Sequence, residues 1–163
     1  MRIKILITGG SIDDLEYDSP EKAPKSPKTY IPELLKRARV TADHDVEILM
    51  SKDSKFITDE DREIILKKCQ DCEEEKIVIT HGTATMSTTA KYLGERNLQK
   101  TIVLLGSAVP ANKEDSDALF NLGAALAAAQ TLPAGVYVTM SGEIFSWDNV
   151  KKNSDTGFFE TEK

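Results

Sequence analysis

The chain has 163 residues, of which 40% are hydrophobic and 29% charged. That length suits one domain burying roughly 68–70% of the surface its unfolded form exposes, and the composition excludes a disordered chain. A net charge of −6 and a pI of 5.0 leave no basic field for a phosphate backbone, so nucleic acid is not an expected partner.

In chain order, the apolar run IKILIT at 3–8 reads as a strand that ends at Gly9 and Gly10, with the Ser11 hydroxyl next. It turns to glycine too soon for a signal peptide, and no apolar run reaches the ~18–20 residues of a membrane span. A cytoplasmic protein without a membrane partner is therefore expected. Residues 13–32, DDLEYDSPEKAPKSPKTYIP, carry four prolines and no periodicity. They are expected to form a mobile loop, either a lid or a solvated excursion.

A second strand is expected at VEILMS, 46–51, and a helix at TDEDREIILKKCQ, with Thr58 as N-cap and acids in the first turn. Cys69 and Cys72 lie at that helix's end. One C-x-x-C supplies half of a zinc ligand set, so reduced, idle thiols are expected and no metal. The third strand, KIVITH at 76–81, runs into Gly82, Thr83, Ala84 and Thr85. TIVLLG at 101–106 precedes a helix, SDALFNLGAALAAAQ, starting on Ser116, whose alanines permit close packing on a sheet. GVYVTM at 135–140 is the fifth strand, followed by a segment that offers Lys151 and Lys152.

Strands about thirty residues apart with helices between them predict right-handed strand-helix-strand units. The expected fold is a single α/β domain over residues 1–163. It is a three-layer, doubly wound, mostly parallel sheet of the Rossmann or flavodoxin type, with helices on both faces. Ligands in such sheets bind beyond the carboxyl ends of the strands. Ser11, Thr83 and a lysine would meet there. A lysine deprotonated in a dry site can serve as base to a hydroxyl nucleophile, with N–H groups beside glycines holding the oxyanion. The same residues also read as turn glycines, an N-cap threonine and a solvated lysine pair.

The motifs become specific when taken together. ILITGGSID resembles the TGGTI opening of the bacterial-type L-asparaginases and glutaminases, the threonine amidohydrolases. ITHGTATM resembles that family's THGTDTM, and IVLLGSAVPANKEDSDALFNLGAAL its VLTGAMRP segment with the later SD and NL. The resemblance covers nearly the whole chain and implies the family's amino-terminal domain. It places Ser11 at the nucleophilic threonine and Thr83 at the second catalytic threonine. Lys151, three residues after Asp148, takes the place of the partner lysine, with Lys152 the alternative if the alignment slips by one. KDSKFIT resembles the carboxylate-binding segment, which assigns substrate contacts to Ser54 and Lys55, alongside Gly10, Gly82 and Ala84. The family's catalytic tyrosine is either Tyr17 or Tyr30. No cofactor is implied.

Two departures matter. Family members carry aspartate where this chain has Ala84, and that aspartate grips the substrate α-ammonium. Its loss predicts weak or altered activity on free asparagine, unless Asp13 or Glu143 replaces the charge. Family members also continue into a carboxy-terminal domain, whereas this chain reaches only Lys163. The expectation is a short form whose open site is covered by a homodimer or larger homo-oligomer. Three readings compete: an amidohydrolase cleaving a small amide through a Ser11 acyl-enzyme, a non-catalytic module binding a small acid, and an interaction scaffold.

Overall fold

The computed structural model describes residues 1–163. Five parallel strands form the sheet: β1 Ile3–Gly9, β2 His44–Lys52, β3 Lys76–Thr80, β4 Thr101–Leu105 and β5 Gly135–Met140. β6, Glu143–Ser146, returns antiparallel to β5 at the far edge, giving the order β2-β1-β3-β4-β5-β6. A separate two-residue ladder joins β7, Lys151–Lys152, to β8, Phe159–Glu160. The five expected strands and the doubly wound class are therefore present, and β6 to β8 are additions to them.

Strand alternation divides the core between the two faces. Ile3, Ile5, Ile7, Val78, Val103 and Leu105 face α1, Ile31–Arg37, and α4, Ala118–Thr131. Leu6, Ile77, Ile79, Ile102 and Leu104 face α2, Asp59–Asp71, and α3, Met86–Gly94. Both faces of the central strands are covered, which is why they read as unbroken Ile/Val runs instead of alternating ones. Each fully buried aliphatic side chain contributes about 1.5–3 kcal/mol.

The helices start where local chemistry satisfies their free N–H groups. Thr58 caps α2 in a reciprocal box: its side chain accepts from Asp61 N–H at 3.2 Å while Asp61 accepts from Thr58 N–H at 2.9 Å. α4 begins two residues later than expected, with Asp117 as cap residue and the Ser116 hydroxyl accepting from Ala118 N–H at 3.0 Å. Its Ala118, Ala125, Ala128 and Ala129 are buried, which lets the helix lie close on the sheet. The SD and NL pairs brace the turn after β4. The Asp117 carboxylate accepts from Ala108 and Val109 N–H, and Asn121 Nδ2 donates to the Gly106 carbonyl at 2.9 Å.

Residues 13–32 carry more local structure than their composition implies. Two short 3-10 turns, at Ser11–Asp13 and Pro20–Lys22, lie at or within the segment. α1 begins at Ile31 inside the expected loop, with Pro32 in its first turn, where a missing N–H costs nothing. No helix is long and apolar enough to cross a membrane.

Candidate active site

The order of the sheet makes the site. β1 is followed outward to β2, and the chain then crosses back to β3 on the other side of β1, so the turns after β1 and β3 part in opposite directions. They nonetheless touch at two glycines. Gly10 has φ +91°, and a Cβ built on it would lie 2.3 Å from Gly82 Cα. A Cβ on Gly82 would in turn lie 2.5 Å from Ser54 Oγ. Three loop ends are thereby packed against one another, and only hydrogen fits between them.

Above them lies a cleft of about 180 Å³ whose wall includes Ser11, Glu16, Ser54, Thr83, Ala84 and Lys152. That is smaller than the roughly 300–1,000 Å³ of pockets for drug-sized ligands. Ser11, Glu16, Thr83 and Lys152 also border an adjoining cleft of about 400 Å³, with Val109, Met140 and Phe158 on its far side. The hydroxyls of Ser11 and Thr83 therefore stand where the two spaces join.

The two hydroxyls are engaged in opposite senses. Ser11 Oγ donates to a Glu16 carboxylate oxygen. Thr83 Oγ1 accepts from Lys152 Nζ at 2.9 Å. Lys152, and not Lys151, is thus the lysine that reaches the cleft, which corrects the expected position by one residue. The reason is strand geometry. In β7 adjacent side chains point to opposite sides, and Lys151 turns outward to lie 3.6 Å from Glu160.

The remaining expected residues distribute as follows. Gly10, Ser54, Lys55, Gly82 and Ala84 all border the smaller cleft. Ser54 is buried, and its carbonyl accepts from the Thr85 hydroxyl at 2.8 Å, tying the turn after β2 to the turn after β3. Lys55 Nζ lies 3.4 Å from the buried Asp53 carboxylate. Gly10 N–H is committed to the Lys52 carbonyl at 2.8 Å, so this glycine's own N–H is not free for an oxyanion.

Neither candidate replacement for the missing aspartate faces the cleft. Asp13 is buried, and its Oδ1 accepts from Thr29 Oγ1 at 3.1 Å and Tyr30 N–H at 2.9 Å. Burial pushes its carboxyl above the ordinary aspartate value, against those hydrogen bonds. Glu143 lies exposed on the edge strand β6. Neither tyrosine borders the cleft. Tyr30 Oη accepts from Asn112, whereas Tyr17 grips Asp53: its N–H donates to Asp53 Oδ2 at 3.0 Å and its Oη accepts from Asp53 N–H at 3.1 Å. Tyr17 also stacks on Phe56, with ring centroids 5.3 Å apart.

Several residues beyond those expected also support the site. His81 is fully buried, and its Nδ1 contacts the Gly82 carbonyl at 2.7 Å and its Nε2 the Thr89 hydroxyl at 2.8 Å. A carbonyl only accepts, so Nδ1 carries the proton and Nε2 accepts from Thr89. Arg62 Nε donates to the same Thr89 oxygen at 3.0 Å. Burial lowers the imidazole pKa to about 4, which keeps it neutral in this chain of bonds. Glu16 cannot be told from any other loop acid by its spacing. Far from the site, Cys69 is buried in the core with its thiol pushed up to about 12, and Cys72 is partly exposed.

Known proteins resemble this chain in sequence and in fold. The family model described as "Asparaginase, N-terminal" matches residues 2–160. A glutamyl-tRNA(Gln) amidotransferase component from Saccharolobus solfataricus is 36% identical over 148 residues, which are 86% of this chain and 33% of that protein. The L-asparaginase of Thermococcus kodakarensis is 31% identical over 165 residues, covering 96% of this chain and 49% of the relative. Its solved structure superposes with a TM-score of 0.82 over 99% of this chain and 51% of that one. A probable cytoplasmic L-asparaginase from Campylobacter jejuni gives 0.78 at 30% identity, over 98% of this chain and 52% of that one. The chain spans about a third to a half of the length of these relatives. With the family model covering nearly every residue, the chain belongs to the asparaginase N-terminal family.

Proposed function

We propose that this protein is an amidohydrolase that cleaves a small carboxamide through a Ser11 acyl-enzyme. The observation that carries the reading is the convergence of Ser11 and the Thr83–Lys152 pair on one small cleft. Ser11 Oγ attacks the amide carbon, the C–N bond breaks, and ammonia leaves with a proton donated by Thr83, which Lys152 replaces along the hydrogen bond it donates to Thr83. Water then cleaves the acyl-enzyme to the free acid. Ser54 and Lys55 stand where a substrate carboxylate would be held, and Ala84 offers no charge to an α-ammonium. The favoured substrates are accordingly ω-amides of dicarboxylic acids that lack the α-amino group, with free asparagine a poor one.

The test is ammonia release from asparagine, glutamine and des-amino carboxamides, with wild type and Ser11→Ala. Turnover of the des-amino amides, lost in Ser11→Ala, supports the reading; silence across the panel rejects it in favour of a small-acid-binding module.

Similarity to an amidotransferase component favours a second arrangement, in which the released ammonia passes to another protein chain instead of solution. Co-purification from the native source, followed by ammonia measured with and without the bound chain, separates the two. Self-association belongs to the same proposal: Phe120 and Phe158 are 64% and 62% exposed, the latter at the wider cleft. A homodimer covering them gives twice the 18.0 kDa chain mass in light scattering. Cytoplasmic residence, stated of the Campylobacter jejuni relative, is proposed here on the same footing.

A further inference from the structure

We propose that Glu16 is the general base that activates Ser11, a role for a residue of the 13–32 segment that no family motif marks. The proposal rests on the amidohydrolase reading for its substrate, while its geometry stands independently. A hydroxyl surrenders its proton along the hydrogen bond it donates. Ser11 donates to Glu16, whereas Thr83 is the acceptor of a lysine bond. Between Ser11 and Thr83, only Ser11 is therefore poised on a carboxylate able to take its hydrogen.

The carboxylate is also held in place from both sides along the chain. Leu15, just before it, is buried, with its N–H bonded to the Gly10 carbonyl at 3.0 Å. Tyr17, just after it, is fixed by two hydrogen bonds to Asp53 and by its stack on Phe56. Glu16 itself remains exposed and borders both clefts. A clamped backbone carrying an accessible carboxylate is how a base is kept within reach of its hydroxyl while substrate enters.

In the step, the Ser11 O–H bond breaks with its proton moving to Glu16, and Oγ bonds the carbonyl carbon. Glu16 is then protonated, and in deacylation it releases that proton to Ser11 Oγ as water, passing its own proton through Thr83 to restore Lys152, adds to the acyl carbon. No oxidant or cofactor enters.

The test uses the full chain and an alkyl fluorophosphonate, which reports on the hydroxyl without requiring the right amide. Oγ bonds phosphorus, fluoride leaves, and the proton goes to the base. Intact-mass spectrometry is expected to show one adduct on wild type, mapping to Ser11 and missing in Ser11→Ala. Glu16→Gln should label about 10²–10⁴-fold more slowly. Glu16→Asp should recover part of the rate, and formate should accelerate labelling of Glu16→Ala, a rescue that a merely structural role would not give. Labelling of Glu16→Gln at the wild-type rate, or a wild type that takes no adduct at Ser11, overturns the proposal. Ammonia release, measured in parallel, judges the amidohydrolase reading separately. Glu16-dependent labelling without ammonia keeps the base and removes the substrate class; ammonia release indifferent to Glu16→Gln keeps the hydrolase and removes the base.

Discussion

The turns after β1 and β3 each present one hydroxyl to the same cleft, yet they are secured by different means. The β3 turn is braced from beneath by a buried series running from Arg62 through Thr89 and His81 to the Gly82 carbonyl. The β1 turn is held instead by a buried carboxylate, Asp13, which accepts from Thr29 Oγ1 and Tyr30 N–H. It is held also by backbone fit, Gly10 against Gly82, and by the clamp of Tyr17 on the buried Asp53. They differ in charge as well: Glu16 brings a carboxylate to the β1 side, while Ala84 leaves the β3 side without one. One wall of this site thus rests on a buried neutral imidazole, the other on a buried carboxylate and close glycine packing.

The sharpest way to break the comparison is at the lysine. Lys152→Ala should lower ammonia release about 10²–10⁴-fold, because Thr83 loses its only charged partner, while Lys151→Ala should stay within about twofold. Equal losses in both would return the role to a diffuse positive field.

Next comes the glycine contact. Gly10→Ala places a methyl 2.3 Å from Gly82 Cα at φ +91°, and should cost about 2–4 kcal/mol in thermal or denaturant unfolding. The buried brace gives a comparable effect, but only in acid. The His81 pKa of about 4 in the folded state lies below its ordinary value of 6.5, so its contribution is fully present above pH 6.5. It is lost as pH falls from about 6.5 towards about 4, and amounts to about 3 kcal/mol. Urea midpoints across that window should flatten in His81→Gln relative to wild type.

Smaller effects sharpen the charge contrast. Ala84→Asp should tighten asparagine about ten to a hundredfold, read as a lower KM with the des-amino amides weakened. Tyr17→Phe removes one acceptor for Asp53 N–H and should cost about 1 kcal/mol, seen as faster proteolysis within residues 13–32 and not as a change in the β3 turn.

The parts of this architecture that are legible in sequence are those with strong periodic or chemical signatures. The central strands announce themselves because burial on both faces demands unbroken Ile and Val, and Thr58 because a cap must be followed by an acid three residues on. β6 is four residues long with one buried side chain, and β7 and β8 have two residues each, too short for any period to register. That brevity also explains the lysine. In a strand a one-residue shift exchanges the faces, so Lys151 and Lys152 cannot be ranked without knowing that Lys152 pairs opposite the buried Phe159. Ser11, Thr83 and Ser54 emerge from motif resemblance; His81 lies within the same ITHGTATM motif but owes its bracing role to core packing, and Glu16 owes its placement to loop geometry that no local pattern encodes.

The short ladder that carries Lys152 has a consequence of its own. Two residue pairs, two backbone bonds at Asn153 and the Lys151–Glu160 ion pair hold it together, and its apolar anchors to the rest of the molecule are Val150 and Phe159, both buried in the layer beneath α2 and α3. A unit this small is expected to open below the free energy of global unfolding, which deuterium uptake at its amides would read. Such an opening would carry Lys152 Nζ away from Thr83 while leaving the Gly10–Gly82 contact in place. The availability of the lysine would then be a fraction of time set by how firmly Val150 and Phe159 are seated, and a ligand bridging the cleft would raise that fraction merely by closing the door behind itself.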